Sequence, residues 1–462
     1  MAEKNLWLTY DEKEKTKMKY VIKTYKECLD AGKTERECVR VTRQMALDAG
    51  YRPLADFIQD GITLLPGDKV FAEYNEKTIV LYHLGEESLE KGMNILGAHI
   101  DSPRIDVKQN PLYETEDLAY LDTHYYGGIK KYQWVARQLA LHGVVCKKDG
   151  TTVNVCIGEK DEDPVFAITD LLPHLGAAQM DKKAAKVIEG ENLDLLIGGM
   201  PVADEDEKES VKEGILQLLK ECYGIEEDDF ISAELEIVPA GKARDLGLDR
   251  SMIMAYGQDD RICAFTSLMA QLSLDKTPKR TACCLLVDKE EIGSYGASGM
   301  QSRFFENMTA ELLALCGYPA AISLRRCFAN SKMLSSDVNA AFDPLFPEVF
   351  EKKNTSFLGR GLVFTKFTGS RGKGSSNDAH PEYIAKLRKV MDDNNVRFQT
   401  AELGKVDVGG GGTIAWITAN YGMEVIDSGL AILCMHAPME ISSKADIYEA
   451  VKGYTAFLVD ME

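Results

Sequence analysis

Residues 281–293 read TACCLLVDKEEIG, a near-continuous apolar run that ends abruptly in two adjacent glutamates. A strand with one wet face alternates apolar and polar residues. An unbroken run is what a strand covered on both faces of a parallel sheet requires. Just upstream, Ile262, Phe265, Leu268, Met269 and Leu272 recur at helical spacing, so a helix precedes the strand. The same unit of apolar run and polar ending recurs elsewhere. KVFAEY starts at Lys69, KTIVLYHLG at Lys77, MNILGAHID at Met93, KMLSSD at Lys332 and GLAILCMHAP at Gly429. A helical stretch over 14–48, with Val21, Tyr25, Cys28, Val39, Met45 and Leu47 among charges, and a last helix over 447–458 complete the pattern. The class predicted is α/β, a mixed sheet flanked by helices.

Between 108 and 245 the patterning changes. Short β-like segments (TTVNVCIG, AELEIVPAG) alternate with acidic clusters at 159–163 and 204–209. One amphipathic helix there carries Val211, Ile215, Leu218, Leu219 and Cys222 on a common face. At 462 residues the chain exceeds one ordinary compact core. The economical organisation is an α/β domain in two parts, 1–107 and 246–462, interrupted by an inserted, mostly β domain over 108–245.

The 73 acidic residues outnumber the 54 basic ones, for a formal charge of −19. Such a surface repels phosphate backbones and anionic lipid, so neither nucleic acid nor membrane is expected as a partner. The N-terminal stretch lacks the basic start and apolar core of a signal peptide, and no apolar run approaches the ~20 residues of a membrane span. The 11 cysteines are odd in number and without CxxC spacing. They suit reduced thiols, and with them a cytoplasmic protein, better than a disulfide framework or a structural zinc cage.

Chemistry-bearing residues gather just past the apolar runs, at the sheet edge where open α/β folds bind ligands. His99 and Asp101 end the run from Met93; the carboxylate can hold the imidazole in one tautomer while its other nitrogen binds metal. Asp259 and Asp260, in GQDDR, open the helix of Ile262. Glu290 and Glu291 follow the buried strand, where one can bind metal while the other serves as general base. Asp337 closes KMLSSD, and His436 closes the run from Gly429. Singly, each has a bland reading: acids favour helix N-termini for the dipole alone, and a histidine at a strand end is usually a hydrogen-bonded structural residue. Together they supply the nitrogen and oxygen donors that two divalent cations need, zinc first, with cobalt and manganese as further options. Other features fail as motifs. The run Gly409 to Gly412 is not GxGxxG, SRGKGSS from Ser370 lacks the upstream glycine of a P-loop, and no GxSxG elbow is present. Both glycine-containing loops are expected near the site, and Cys434 reads as a core residue.

In order, GAHIDSPRID, QDDR, DKEEIGS, SSD and MHAPMEI resemble the aspartyl aminopeptidase and vacuolar aminopeptidase I family over nearly the whole chain, long insertion included. The resemblance implies a zinc-peptidase-like fold whose insertion is a dimerisation domain, with dimers assembling into a dodecamer. It further implies Asp259 bridging two metal ions, His99 and Glu291 completing one shell, and Asp337 and His436 the other. Glu290 would be the general base, passing a proton from the attacking water to the leaving amine, with Asp101 orienting His99. A cis peptide bond between Asp259 and Asp260 is also implied. The activity implied is removal of single acidic or neutral residues from peptide N-termini.

Two segments depart from the family pattern. Where family members carry a histidine in the insertion, this chain has GGIKKYQW from Gly127, with Tyr132 near that position and His124 close by. Lys366, in VFTKFTGSR, falls where the family has a lysine suited to an acidic substrate side chain. The competing readings are a di-metal amidohydrolase acting on acylated amino acids, a non-catalytic assembly protein that kept the fold, and, more distantly, a nucleotide-binding module.

Overall fold

The run that opens the 281–293 stretch forms the strand Thr281–Val287, buried throughout. Ala282, Cys284 and Leu286 join one hydrophobic layer; Cys283, Leu285 and Val287 join the other. That two-sided burial is the physical reason the run has no polar alternation. The strand pairs antiparallel with Thr78–His83 and parallel with Met93–His99, setting Val287 beside His99. Met93–His99 pairs in turn with Lys332–Ser335, again parallel. The sheet continues through Glu424–Gly429, Leu362–Thr365 and Phe398–Thr400 to nine strands. Helices Glu12–Ala31, Gln258–Leu272 and Lys444–Asp460 cover one face; Phe304–Leu315 and Ala320–Asn330 cover the other.

The computed structural model describes residues 4–202 and 209–462, so most of the acidic cluster at 204–209 lies outside the described residues. The chain divides into two units: Met1–Asp101, Ala243–Met435 and Glu440–Glu462 form the first; Ser102–Lys242 and His436–Met439 form the second. The second unit starts a few residues earlier than the composition change because its long strand Arg104–Thr115 already begins there. It is a six-stranded antiparallel sheet, with Thr152–Ile157 and Leu195–Gly198 at its edges and the helix Ser210–Tyr223. The first unit also holds a five-stranded sheet that includes Met252–Ala255 and Glu440–Ser443.

The helical stretch expected over 14–48 is two helices, Glu12–Ala31 and Glu35–Asp48. Capping decides the break. Thr34 accepts from the Glu37 amide, and Glu37 reaches back to the Thr34 amide, so a second helix starts there instead of the first continuing through Gly32. None of the eleven cysteines is paired in a disulfide, and Cys434, expected in the core, is exposed, because the chain leaves the sheet after Ala431–Leu433 with Cys434 at φ 61°. No helix among the described residues is long and apolar enough to cross a membrane.

Candidate metal centre

Three adjacent parallel strands, Thr281–Val287, Met93–His99 and Lys332–Ser335, end at one edge of the sheet. Each is followed within a few residues by an ionisable side chain from the sequence motifs. The first is His99, the last residue of its strand and 2% exposed. The strand stops there, so Asp101 comes alongside through a turn, not by strand alternation. His99 Nδ1 lies 3.0 Å from the Asp101 carbonyl oxygen and 3.3 Å from its Oδ1. With Nδ1 so occupied, Nε2 faces Asp259 Oδ1 at 3.3 Å and Glu290 Oε2 at 3.8 Å.

Asp101 holds more than the imidazole. Its two carboxylate oxygens accept the backbone N–H groups of Glu290 and Glu291, at 3.1 and 3.2 Å. The chain presents both amides because Lys289 (φ 69°) and Gly293 (φ 97°) bracket the glutamates in the left-handed region. One buried aspartate thus fixes both the histidine and the glutamate pair. Behind the turn, Asp288 accepts from the Ser298 hydroxyl at 2.6 Å and sits 3.5 Å from Lys289 Nζ.

Asp259 enters from the start of the helix Gln258–Leu272, and the Asp259–Asp260 peptide bond is cis, as expected. Its backbone N–H donates to Glu440 Oε2 at 2.9 Å, and the Gln258 side chain donates to the Glu440 carbonyl at 2.7 Å. The Gln258 amide oxygen is itself held by Tyr25 and Ser442 hydroxyls, at 3.1 and 2.5 Å. Arg261, wholly buried, donates to the carbonyls of Gly257 and Tyr256 at 2.7 Å and to that of Gly32. The bridging candidate therefore stands on hydrogen-bonded support from Glu440, Gln258 and Arg261.

Asp337 follows Lys332–Ser335 and is tied to the histidine strand by the Ser336 N–H, which donates to the Gly97 carbonyl at 2.6 Å. One donor atom each from His99, Asp260 and Asp337 fall within 4.8 Å of one another, and so do donors of His99, Glu290 and Glu291. Burial pushes the Asp260 and Asp337 carboxyls well above the ordinary range. Neighbouring aspartates add to the rise and His99 opposes it. Burial alone would lower the His99 pKa, but hydrogen bonds to Asp101 and Asp259 and the charge of Glu290 hold it well above its usual value. Six carboxylates around one imidazole leave an excess of buried negative charge, which proteins resolve by pairing it or by binding a metal ion. The imidazole and carboxylate donors fit a zinc-class cation.

The remaining sequence candidates are His436, Tyr132 and His124 in the second unit and Lys366 in the first. His436 groups with the second unit, at φ 61°, with Nδ1 2.9 Å from the Gly128 carbonyl. Donation from Nδ1 selects the tautomer that leaves the lone pair on Nε2. Tyr132, 43% exposed, sits on a short turn of the same unit, and His124 is exposed beside Tyr125. Lys366 is half-exposed and ion-paired with Asp378 at 3.3 Å. Two residues were quoted in motifs without a role: Asp260, inside the cluster, and Glu440, under Asp259. The sequence held a signal for Asp260, which shares the helix start with Asp259, and none for Glu440, which contacts Asp259 from 181 residues away.

Comparison with known proteins matches residues 28–458 to the family of aminopeptidase I zinc metalloproteases (M18). A probable M18 family aminopeptidase 1 of Clostridium acetobutylicum is 59% identical over 455 residues, covering 98% of both chains. The crystal structure of aminopeptidase I from that organism covers 99% of both chains at 56% identity and a TM-score of 0.92. A Thermotoga maritima aminopeptidase of the M18 family matches at 44% identity, again covering 99% of both chains, with a TM-score of 0.94.

Proposed function

The chain belongs to the aminopeptidase I zinc metalloprotease family, M18, and from that membership we propose how its own residues divide the work of a metallo-aminopeptidase. Asp259 would be shared between two divalent ions, and His99, Glu291, Asp337 and His436 would complete their shells. Glu290 is the general base, and Asp101 and Glu440 position the ligands. Zinc is the metal of the family; two ions per chain is our reading of the donor set.

When bound, the ions supply Lewis-acid polarisation of the scissile carbonyl and a seat for the free α-amine of the substrate. The Glu290 carboxylate takes the proton of the attacking water and returns it to the leaving amine. Its backbone N–H donates to Asp101, which anchors the turn, and its carboxylate lies 3.8 Å from His99 Nε2. The observation that carries this reading is the convergence of His99, Asp259, Glu290, Glu291 and Asp337 at the ends of neighbouring strands and one helix.

The substrates proposed are peptides with a free N-terminus, losing one acidic or neutral residue at a time. Large exposed apolar side chains concentrate on the inserted unit, at Val165, Leu171, Leu172, Leu175, Met180 and Met200. That supports a homodimer formed through the inserted domain over 108–245, assembling further into a dodecamer. The free thiols support a cytoplasmic location.

The test combines metal analysis with hydrolysis of free and N-acetylated aminoacyl p-nitroanilides by the wild type and Glu290→Gln. We expect about two metals per chain, cleavage of free amines only, and a variant that keeps its metals while kcat falls ~10²–10⁴-fold. Activity surviving the substitution, or cleavage confined to acetylated substrates, would overturn the assignment.

A further inference from the structure

Strand pairing in the second unit sets a thiol beside an imidazole. Leu139–Cys146 and Thr152–Ile157 run antiparallel, with His142 directly opposite Cys156. Opposed residues on neighbouring strands face the same side of the sheet. The adjacent pair, Leu141 and Ile157, lines the other side together with Ile215 and Leu218 of the helix Ser210–Tyr223. His142 is 2% exposed, whereas Cys156 reaches solvent, and the Cys156 sulfur lies 3.9 Å from His142 Nε2.

Glu159 completes the group. The chain turns after the edge strand at Gly158, whose φ of 111° and close approach to Ala140 leave no room for a side chain. Asp163 then gathers the turn. Its Oδ2 accepts the N–H groups of Gly158, Glu159 and Lys160 at 3.2, 3.2 and 3.1 Å. So held, Glu159 places Oε1 3.1 Å from His142 Nε2. All three side chains, and the aspartate that fixes the turn, belong to the second unit.

One nitrogen therefore faces both a thiol and a carboxylate. As an N–H it donates to Glu159 and leaves the thiol proton without an acceptor there. As a bare nitrogen it accepts from the thiol and turns a lone pair toward the carboxylate. A cation among them satisfies all three atoms at once. Around a tetrahedral zinc ion a nitrogen donor lies roughly 3.6 Å from a sulfur donor and roughly 3.4 Å from an oxygen donor. The observed 3.9 and 3.1 Å bracket those separations.

From this geometry we propose that His142, Cys156 and Glu159 form a further site for a zinc-class divalent ion, bound through Nε2, Sγ and a carboxylate oxygen. The thiol gives its proton to solvent as the ion binds, and the thiolate takes its place in the shell. A fourth position is left for a further donor. The ion staples the edge strand Thr152–Ile157 to its neighbour and to the turn that carries Glu159.

Cobalt is the probe, because a thiolate bound to Co2+ gives a near-ultraviolet charge-transfer band that nitrogen and oxygen donors do not. The full chain, stripped of metal by a chelator, is titrated with cobalt. The centre at the strand ends offers imidazole and carboxylate donors, so the band reports on this site whether or not the aminopeptidase reading holds. The wild type shows the band, and Cys156→Ser abolishes it. Cys434→Ser, which removes the exposed thiol two residues before His436, leaves it intact. His142→Gln raises the cobalt needed for half-saturation at least ~10-fold, the low end of what losing even an orienting residue costs. Glu159→Gln, at a less buried position, has the same effect and serves where the histidine variant does not fold. A wild type without the band, a band that survives Cys156→Ser, or a midpoint unmoved by the Glu159 and His142 variants overturns the assignment.

Discussion

At the strand ends, Asp101, Asp259, Asp260, Glu290, Glu291 and Asp337 gather about a single imidazole in a sheltered place. At the 366–378 loop the proportion is reversed, with one carboxylate meeting two ammonium groups near solvent. The difference is instructive because the chemistry is the same and only the surroundings change. Exposed charges can be satisfied by flexible neighbours and by water, so removing one shifts a preference by a small factor. Buried carboxylates without enough cations raise their pKa values or demand a cation from outside. Only the second kind calls for a metal ion. Within the buried group a further division shows. Asp101 and Glu440 accept backbone amides and so act as frame.

That division can be broken by removing the frame without touching a ligand. Asp101→Ala should cost ~10–100-fold in zinc affinity or in kcat, the usual range for a residue that orients a ligand. Competition with a chelator and steady-state kinetics would measure it. Asp101→Asn keeps one carbonyl acceptor for the Glu290 and Glu291 amides and should lose less. Equal losses in the two variants would mean that charge matters at Asp101 and the amide contacts do not.

Much of this was legible in the sequence. The unbroken apolar run before Glu290 announced a strand buried on both faces, and the charged ends of successive runs marked one edge of a sheet. The break between the first two helices was legible too, in Thr34 and Glu37, but helical periodicity across 14–48 masked it. Long-range support was not legible. Glu440 binds the Asp259 amide from 181 residues away, and no spacing rule connects them. Nor does the Asp378–lysine cluster show in the sequence, since it forms only where the loop closes through the Ala379 amide.

Glu440 gives a second, smaller test. Glu440→Gln keeps an oxygen for the Asp259 N–H but removes a buried charge. A loss of about tenfold in kcat, with metal content retained, is expected where a ligand's support is loosened and not removed. Loss of metal instead would make Glu440 part of the binding set, and the distinction between frame and ligand would fail there.

The smallest test concerns a carboxylate that is buried but has neither metal nor lysine. Asp427 lies on Glu424–Gly429, where the Thr413 hydroxyl donates to Oδ1 at 2.6 Å. Burial pushes its carboxyl from the ordinary 3.8 up to about 7, against the pull of that hydrogen bond. The folded value is raised, so Asp427 contributes fully to stability below about pH 4. Between there and about pH 7 the unfolded chain ionises while the folded one stays protonated, and the contribution is lost at up to ~1.4 kcal/mol per pH unit. Asn at this position does not titrate and can still accept from Thr413. Asp427→Asn should therefore gain on the wild type as pH rises from 5 to 7, with the difference levelling off above. Denaturant midpoints of both proteins at saturating zinc would show it, since the metal-centre carboxylates then cancel in the comparison. A difference that stays flat across that range would mean Asp427 is ionised in the folded protein, and burial without a cation would not be enough to keep a carboxyl neutral here.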